Sequence, residues 1–161
     1  MNRTVHHSPV YLLLLLGTLL CLVASCQRIP VGYLQTENAE FVPNPMRVYY
    51  TLDPFTPRAT NGAPWVSNRI QGVSGTNPVN YSFAGVTASE GGDASAFLKI
   101  VDQGELDVNG GVVRLSQKGT KLLPLGSYTI SLKVYNEGQS ALLKDILTIV
   151  VANEEADAPL P

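Results

Sequence analysis

The stretch that decides the fold is Gly126-Ser127-Tyr128-Thr129-Ile130-Ser131-Leu132-Lys133-Val134-Tyr135. Every second residue from Tyr128 to Val134 is large and apolar, and Thr129, Ser131 and Lys133 fall between them. A period of two puts the first set on one face of a strand and the second on the other. Asn136-Glu137-Gly138-Gln139 then turns the chain. The next run, Ser140 to Val151, brings Leu147, Ile149 and Val151 onto one face. Lys144-Asp145 interrupts its alternation, which predicts a bulge or an edge.

Working upstream, the same signal recurs. Glu105 to Leu115 reads as a hairpin, with Leu106 and Val108 on one arm and Val113 and Leu115 on the other. Asn109-Gly110-Gly111 between them supplies the positive φ angles of a tight turn. Ala96 to Val101 is expected to be a strand, and Glu90-Gly91-Gly92-Asp93 before it a turn. Val79, Tyr81 and Phe83 alternate with Asn80 and Ser82, with a bend before Gly85 to Ser89. Trp65 to Val73 is a weaker extended stretch, and Asp53 to Pro64 is a Pro-rich loop. Met46 to Leu52 places Val48, Tyr50 and Leu52 inward and Arg47, Tyr49 and Thr51 outward. No window carries a 3.6-residue period. About seven short strands with regular turns and no helix predict an all-β fold, an antiparallel β-sandwich over residues 46–152. Residues 153–161 (NEEADAPLP) read as a disordered acidic tail.

The run Pro124-Leu125-Gly126-Ser127-Tyr128, followed by Leu132 to Gly138, resembles the penultimate strand and final hairpin of PKD-like and cadherin-like immunoglobulin-type sandwiches. Phe97 to Asp102 and Gly111 to Leu115 resemble the cadherin-type pair before it. The resemblance covers about Trp65 to Val151 and implies an immunoglobulin-like fold. The acidic calcium motifs of true cadherins are absent, so calcium-dependent adhesion does not transfer.

The N-terminus carries a different message. Arg3 is followed by an almost unbroken apolar run from Val10 to Val23. That is short of the ~20 residues needed to span a bilayer and fits the core of a signal peptide. Leu22-Val23-Ala24-Ser25-Cys26 resembles a bacterial lipobox, which implies a signal peptide over 1–25 and a Cys26 bearing acyl chains. Residues 26–45, with Pro30, Pro43 and Pro45, are then expected to be a tether. Lipobox and sandwich together resemble the small PKD-like lipoproteins of Bacteroidota that accompany outer-membrane glycan uptake. This resemblance implies a lipid-anchored outer-membrane location. Gln27-Arg28-Ile29 follow the cysteine, where acidic residues would favour surface export, so the cell surface and the periplasmic face both stay open.

Processing at Cys26 also removes chemistry. His6, His7 and Cys21 leave with the signal, so the mature chain would hold neither histidine nor free thiol. Cys/His zinc sites and nucleophilic triads with histidine are thereby excluded. The whole chain has net charge −2 and a pI near 5.6, which argues against a nucleic-acid partner. No phosphate-binding glycine motif occurs.

Three sets of residues remain. Asp102, Glu105 and Asp107 are expected to be a solvated acidic face rather than a catalytic pair. Glu105, Asp107 and Asn109 match the start of a calcium loop, but Ser116 stands where a bidentate Glu belongs, and the hairpin reading is preferred. Trp65, Tyr49 and Tyr135, with Asn68 and Arg69 as polar neighbours, are the candidate glycan-binding residues, because sugar C–H faces stack on aromatic rings. For Trp65 a place in the core is the competing assignment. The expected function is a non-enzymatic, lipid-anchored binding module without cofactor, an accessory to polysaccharide uptake. The alternative is a scaffolding subunit of an envelope complex.

Overall fold

The computed structural model describes residues 32–154, which form nine strands and three helices. The stretch read as a signal peptide, Cys26 and residues 155–161 lie outside the described residues, and Asn153 and Glu154, read as the start of a disordered tail, instead belong to the last strand. The strands are β1 (Leu34–Gln35), β2 (Met46–Thr51), β3 (Trp65–Val66), β4 (Ser74–Gly75), β5 (Asn80–Ser89), β6 (Leu106–Asn109), β7 (Val112–Leu115), β8 (Gly126–Tyr135) and β9 (Ser140–Glu154). The helices are α1 (Pro57–Asn61), α2 (Ala94–Asp102) and α3 (Gln117–Leu122).

The strands assemble into a four-stranded sheet in the order β2-β9-β8-β5, a three-stranded sheet in the order β3-β7-β6, and a small β1-β4 pair. The fold is mostly β and sandwich-like. Its core draws Val48, Tyr128, Ile130, Leu132, Val134, Leu147 and Ile149 from the large sheet, and Trp65, Val113 and Leu115 from the small one. The alternation of β8 holds: Tyr128, Ile130, Leu132 and Val134 are fully buried, and Lys133 and Tyr135 are exposed. The irregularity at Lys144-Asp145 is present. Ile130 faces Leu147 but Leu132 faces Leu143, and Asp145 adopts a positive φ while its N–H donates to Ser131 Oγ. The β6–β7 hairpin turns through Gly110 and Gly111, both at positive φ, as a two-residue primed turn requires.

The sheets are not purely antiparallel. β2 runs parallel to β9, from Met46 opposite Ile149 to Thr51 opposite Glu154. The parallel partner is far away in sequence, so local pattern carries no trace of it.

The stretch Ala96 to Val101 is a helix, not a strand. Asp93 caps α2 by accepting from the Ser95 N–H at 2.8 Å. Phe97 and Ile100, three apart, are buried, while Leu98 and Lys99 face solvent. Five apolar residues around Lys99 fit either period; the Asp cap is a local helix signal, and the packing of Phe97 against Phe83 and Tyr128 decides it. Ser116 caps α3 and Thr56 caps α1 within the stretch read as loop.

Residues 32–45, read as tether, are built into the domain. β1 pairs with β4, Glu40 bridges to Gln71, and Phe41 is 3% exposed. Prolines gave this stretch the look of a linker, but Leu34, Ala39 and Phe41 supply apolar surface to bury.

Candidate functional site

Three of the residues singled out in the sequence, Trp65, Asn68 and Arg69, lie on one short segment, and Tyr49 and Tyr135 lie on other strands. β3 pairs with β7, and beyond it the chain continues along the hairpin. Ser67 N–H donates to Val113 O at 2.9 Å, Val113 N–H donates to Ser67 Oγ at 3.0 Å, and Ile70 N–H donates to Gly111 O at 2.8 Å. These bonds fasten the backbone on both sides of Asn68 and Arg69 to the hairpin. Asn68 lines one cleft and Arg69 the other.

The first is an arginine–tryptophan cleft of about 440 Å³, walled by Pro43, Pro45, Arg47, Arg58 and Trp65, with Ser67 and Asn68 at its rim. Trp65 is 5% exposed, so it is a core residue whose ring edges onto the cleft rather than an open stacking platform. The Arg58 guanidinium lies 3.9 Å from the centre of the indole, a cation–π contact. The indole Nε1–H is buried and finds no acceptor among the described residues. Asn68 Nδ2 donates to Val42 O at 2.6 Å and holds the Pro-rich wall in place. Gln117 donates to the backbone oxygens of Arg58 and Ala63, fixing the connection from α1 to β3.

Tyr49, expected on the outer face, is buried and meets Trp65 edge-on at 5.5 Å. Alternation exposes every second residue only where one side of a strand is solvated. Here β2 has Val48 and Tyr49 both buried, with Trp65 closing over the second side. Tyr50, expected inward, is half-buried and donates its hydroxyl to Leu123 O. Tyr135 is exposed, with Lys133 Nζ 5.7 Å from its ring centre, and lines neither cleft. Of the five proposed glycan residues, the structure therefore brings Trp65 and Asn68 to one cleft and Arg69 to the other. It buries Tyr49 and sets Tyr135 apart.

The second is a tyrosine cleft of about 400 Å³, lined by Tyr33, Arg69, Ser74, Asn77 and Tyr81 over a floor that includes Ile70. Tyr33 is 54% exposed, yet its backbone is clamped. Its N–H donates to Thr76 Oγ1 at 3.2 Å, and its oxygen accepts from Thr76 N–H at 3.0 Å and Asn136 Nδ2 at 2.9 Å. Burial pushes the Tyr81 hydroxyl above its ordinary pKa, and the positive charge of Arg69 opposes that shift. The Tyr81 phenol therefore stays neutral at pH 7 and can donate and accept hydrogen bonds. The arrangement offers one exposed ring, a half-buried ring, a guanidinium, an amide and a hydroxyl around one concavity. Tyr33, Ser74, Asn77 and Tyr81 were missed in the sequence. Tyr33 lay in a supposed linker, and Tyr81 counted as core by parity.

The acidic residues of the hairpin are engaged elsewhere. Glu105 accepts from Ser116 Oγ and Lys118 Nζ, which hold its carboxyl below the ordinary range, the lysine contributing most. Asp107 pairs with Arg114 across the hairpin at 3.4 Å. Among the described residues no three His, Cys, Asp or Glu side chains are grouped to hold a metal ion.

Comparison of the chain with protein-family models, with curated proteins and with solved structures returns no match.

Proposed function

We propose that the chain is a lipid-anchored, non-enzymatic binding module of the bacterial outer envelope, and that it holds glycan in the tyrosine cleft. The observation that carries this reading is the cleft itself: Tyr33, exposed on a clamped backbone, beside Tyr81, Arg69, Ser74 and Asn77. Sugar sites need a ring to stack on and convergent groups for the hydroxyls, and a preformed concavity lowers the cost of ordering the ligand. No histidine or cysteine is found among the described residues, so nothing there supplies a nucleophile–base pair of those types.

The domain is read as immunoglobulin-like on two features. Strand order puts β3, β6 and β7 in one sheet and β5, β8 and β9 in the other, the partition of B, E and D against C, F and G. Tyr128, early in the penultimate strand, donates its hydroxyl back to Pro124 O at 2.8 Å, the bond of a tyrosine corner. The anchor reading rests on the lipobox resemblance at Cys26.

Titration calorimetry of the full chain in detergent against a panel of neutral oligosaccharides tests the site. Binding is expected, and Tyr33→Ala should weaken it about tenfold or more, the worth of a stacked ring and its hydroxyl together. No heat with any oligosaccharide, or unchanged affinity in Tyr33→Ala, overturns the assignment. Palmitate labelling that is lost in Cys26→Ser supports the anchor; equal labelling in that variant refutes it.

A further inference from the structure

One edge of the large sheet takes no part in that reading. β5 ends the order β2-β9-β8-β5, and among the described residues it pairs with β8 alone. It is ten residues long, and none of the ten is buried. Tyr81, Phe83, Val86 and Ala88 pack against the core yet keep part of their surface in solvent, as side chains at the rim of a sheet do. In an antiparallel ladder every second residue points its N–H and C=O away from the neighbouring strand. Along an edge strand those groups form a row of donors and acceptors that fits another strand.

Edge strands are ordinarily blunted by shortness, charge or proline. The other sheet ends of this molecule follow that rule. β2 carries Arg47, β6 carries Asp107, and β3 is two residues long. β5 has none of these devices: its sequence, NYSFAGVTAS, contains no charged residue and no proline. Its irregularity is the bulge between Phe83 and Gly85, where Ala84 is exposed. The bulge falls near the middle of the strand and divides the edge into two runs of similar length, residues 80–83 and 85–89.

We propose that β5 is a docking edge for a second copy of this chain, the two β5 strands pairing antiparallel about a two-fold axis at Ala84. Two-fold pairing sets a strand against its own sequence, so a charge close to the axis would meet its like. A strand without charge is the kind that tolerates this. The position of the bulge suits the same symmetry, because residues 80–83 of one copy then lie along residues 85–88 of the other. Pairing joins the two four-stranded sheets into one continuous sheet.

Sedimentation of the full chain in detergent, with micelles in large excess so that copies do not share one by chance, tests this. The parent chain is expected to show a concentration-dependent monomer–dimer equilibrium. Ala84→Lys and Ala84→Glu, at an exposed position, each put like charges across the axis. Each should raise the dimer dissociation constant about tenfold or more, and an equal mixture of the two variants should recover the parental affinity. A parent chain that stays monomeric at every concentration overturns the proposal. So does a dimer that persists unweakened in both single variants, or a mixture that remains as monomeric as its components.

Discussion

Tyr128→Phe isolates two hydrogen bonds without disturbing the core. The ring is fully buried and stacks on Phe97 with centroids 5.2 Å apart, and phenylalanine keeps that packing. Only the hydroxyl goes. It donates to Pro124 O at 2.8 Å and accepts from the Asp93 N–H at 3.2 Å, so it ties the entry of β8 to the start of α2. Pro124 and Asp93 are exposed residues, so water can reach the groups left behind. The loss is then close to the net worth of each bond, about 1 kcal/mol, rather than the larger cost of burying an orphan. The sum is about 2 kcal/mol, or roughly 6–10 °C in Tm for a domain of this size. Urea unfolding followed by the fluorescence of Trp65 measures it directly. The midpoint should fall with the slope unchanged, because the native and unfolded surfaces are the same. A loss under about 0.5 kcal/mol would show that the hydroxyl does not join the two elements, and the reasoning from its geometry fails.

Three further outcomes follow from the packing. Gly72 has φ +70°, and a Cβ there would lie 1.7 Å from Asn38 O, so Gly72→Ala should cost at least about 3 kcal/mol and open residues 36–41 to protease; unchanged digestion would mean this segment is not fastened at Gly72. The helical register of α2 predicts that Ile100→Ala destabilises by about 2–5 kcal/mol while Leu98→Ala, at an exposed site, costs under about 1; equal costs in denaturant melts would refute it. Asp93 and Glu105 both titrate below their ordinary values, Asp93 chiefly through the backbone N–H groups of Ser95 and Ala96. Their stabilisation is present above the unfolded carboxylate pKa of about 4 and is lost as pH falls through the lower folded values, so melts should weaken below about pH 4. Asp93→Asn keeps a good cap and should flatten part of that slope; an unchanged acid limb would remove Asp93 from the cause.

What the sequence by itself determined is what depends on neighbours in the chain. The alternation of β8 and of the end of β9 was legible because a strand exposed on one side writes its burial into every second residue. The β6–β7 turn was legible because Gly110 and Gly111 both need positive φ. The helix α2 was almost legible: Asp93 is a capping residue, but Ala96 to Val101 fits two periods equally well, and only the packing of Phe97 against Phe83 and Tyr128 chose between them. Tertiary structure alone decided the rest. It placed β2 parallel to a strand about a hundred residues away, covered Tyr49 with Trp65, and fastened the apparent tether through Leu34 and Phe41. The clefts belong to the same class. Tyr33, Arg69 and Tyr81 share a wall because two sheets and an N-terminal segment close on one another, and a contact made across such distances leaves no period in the chain to read.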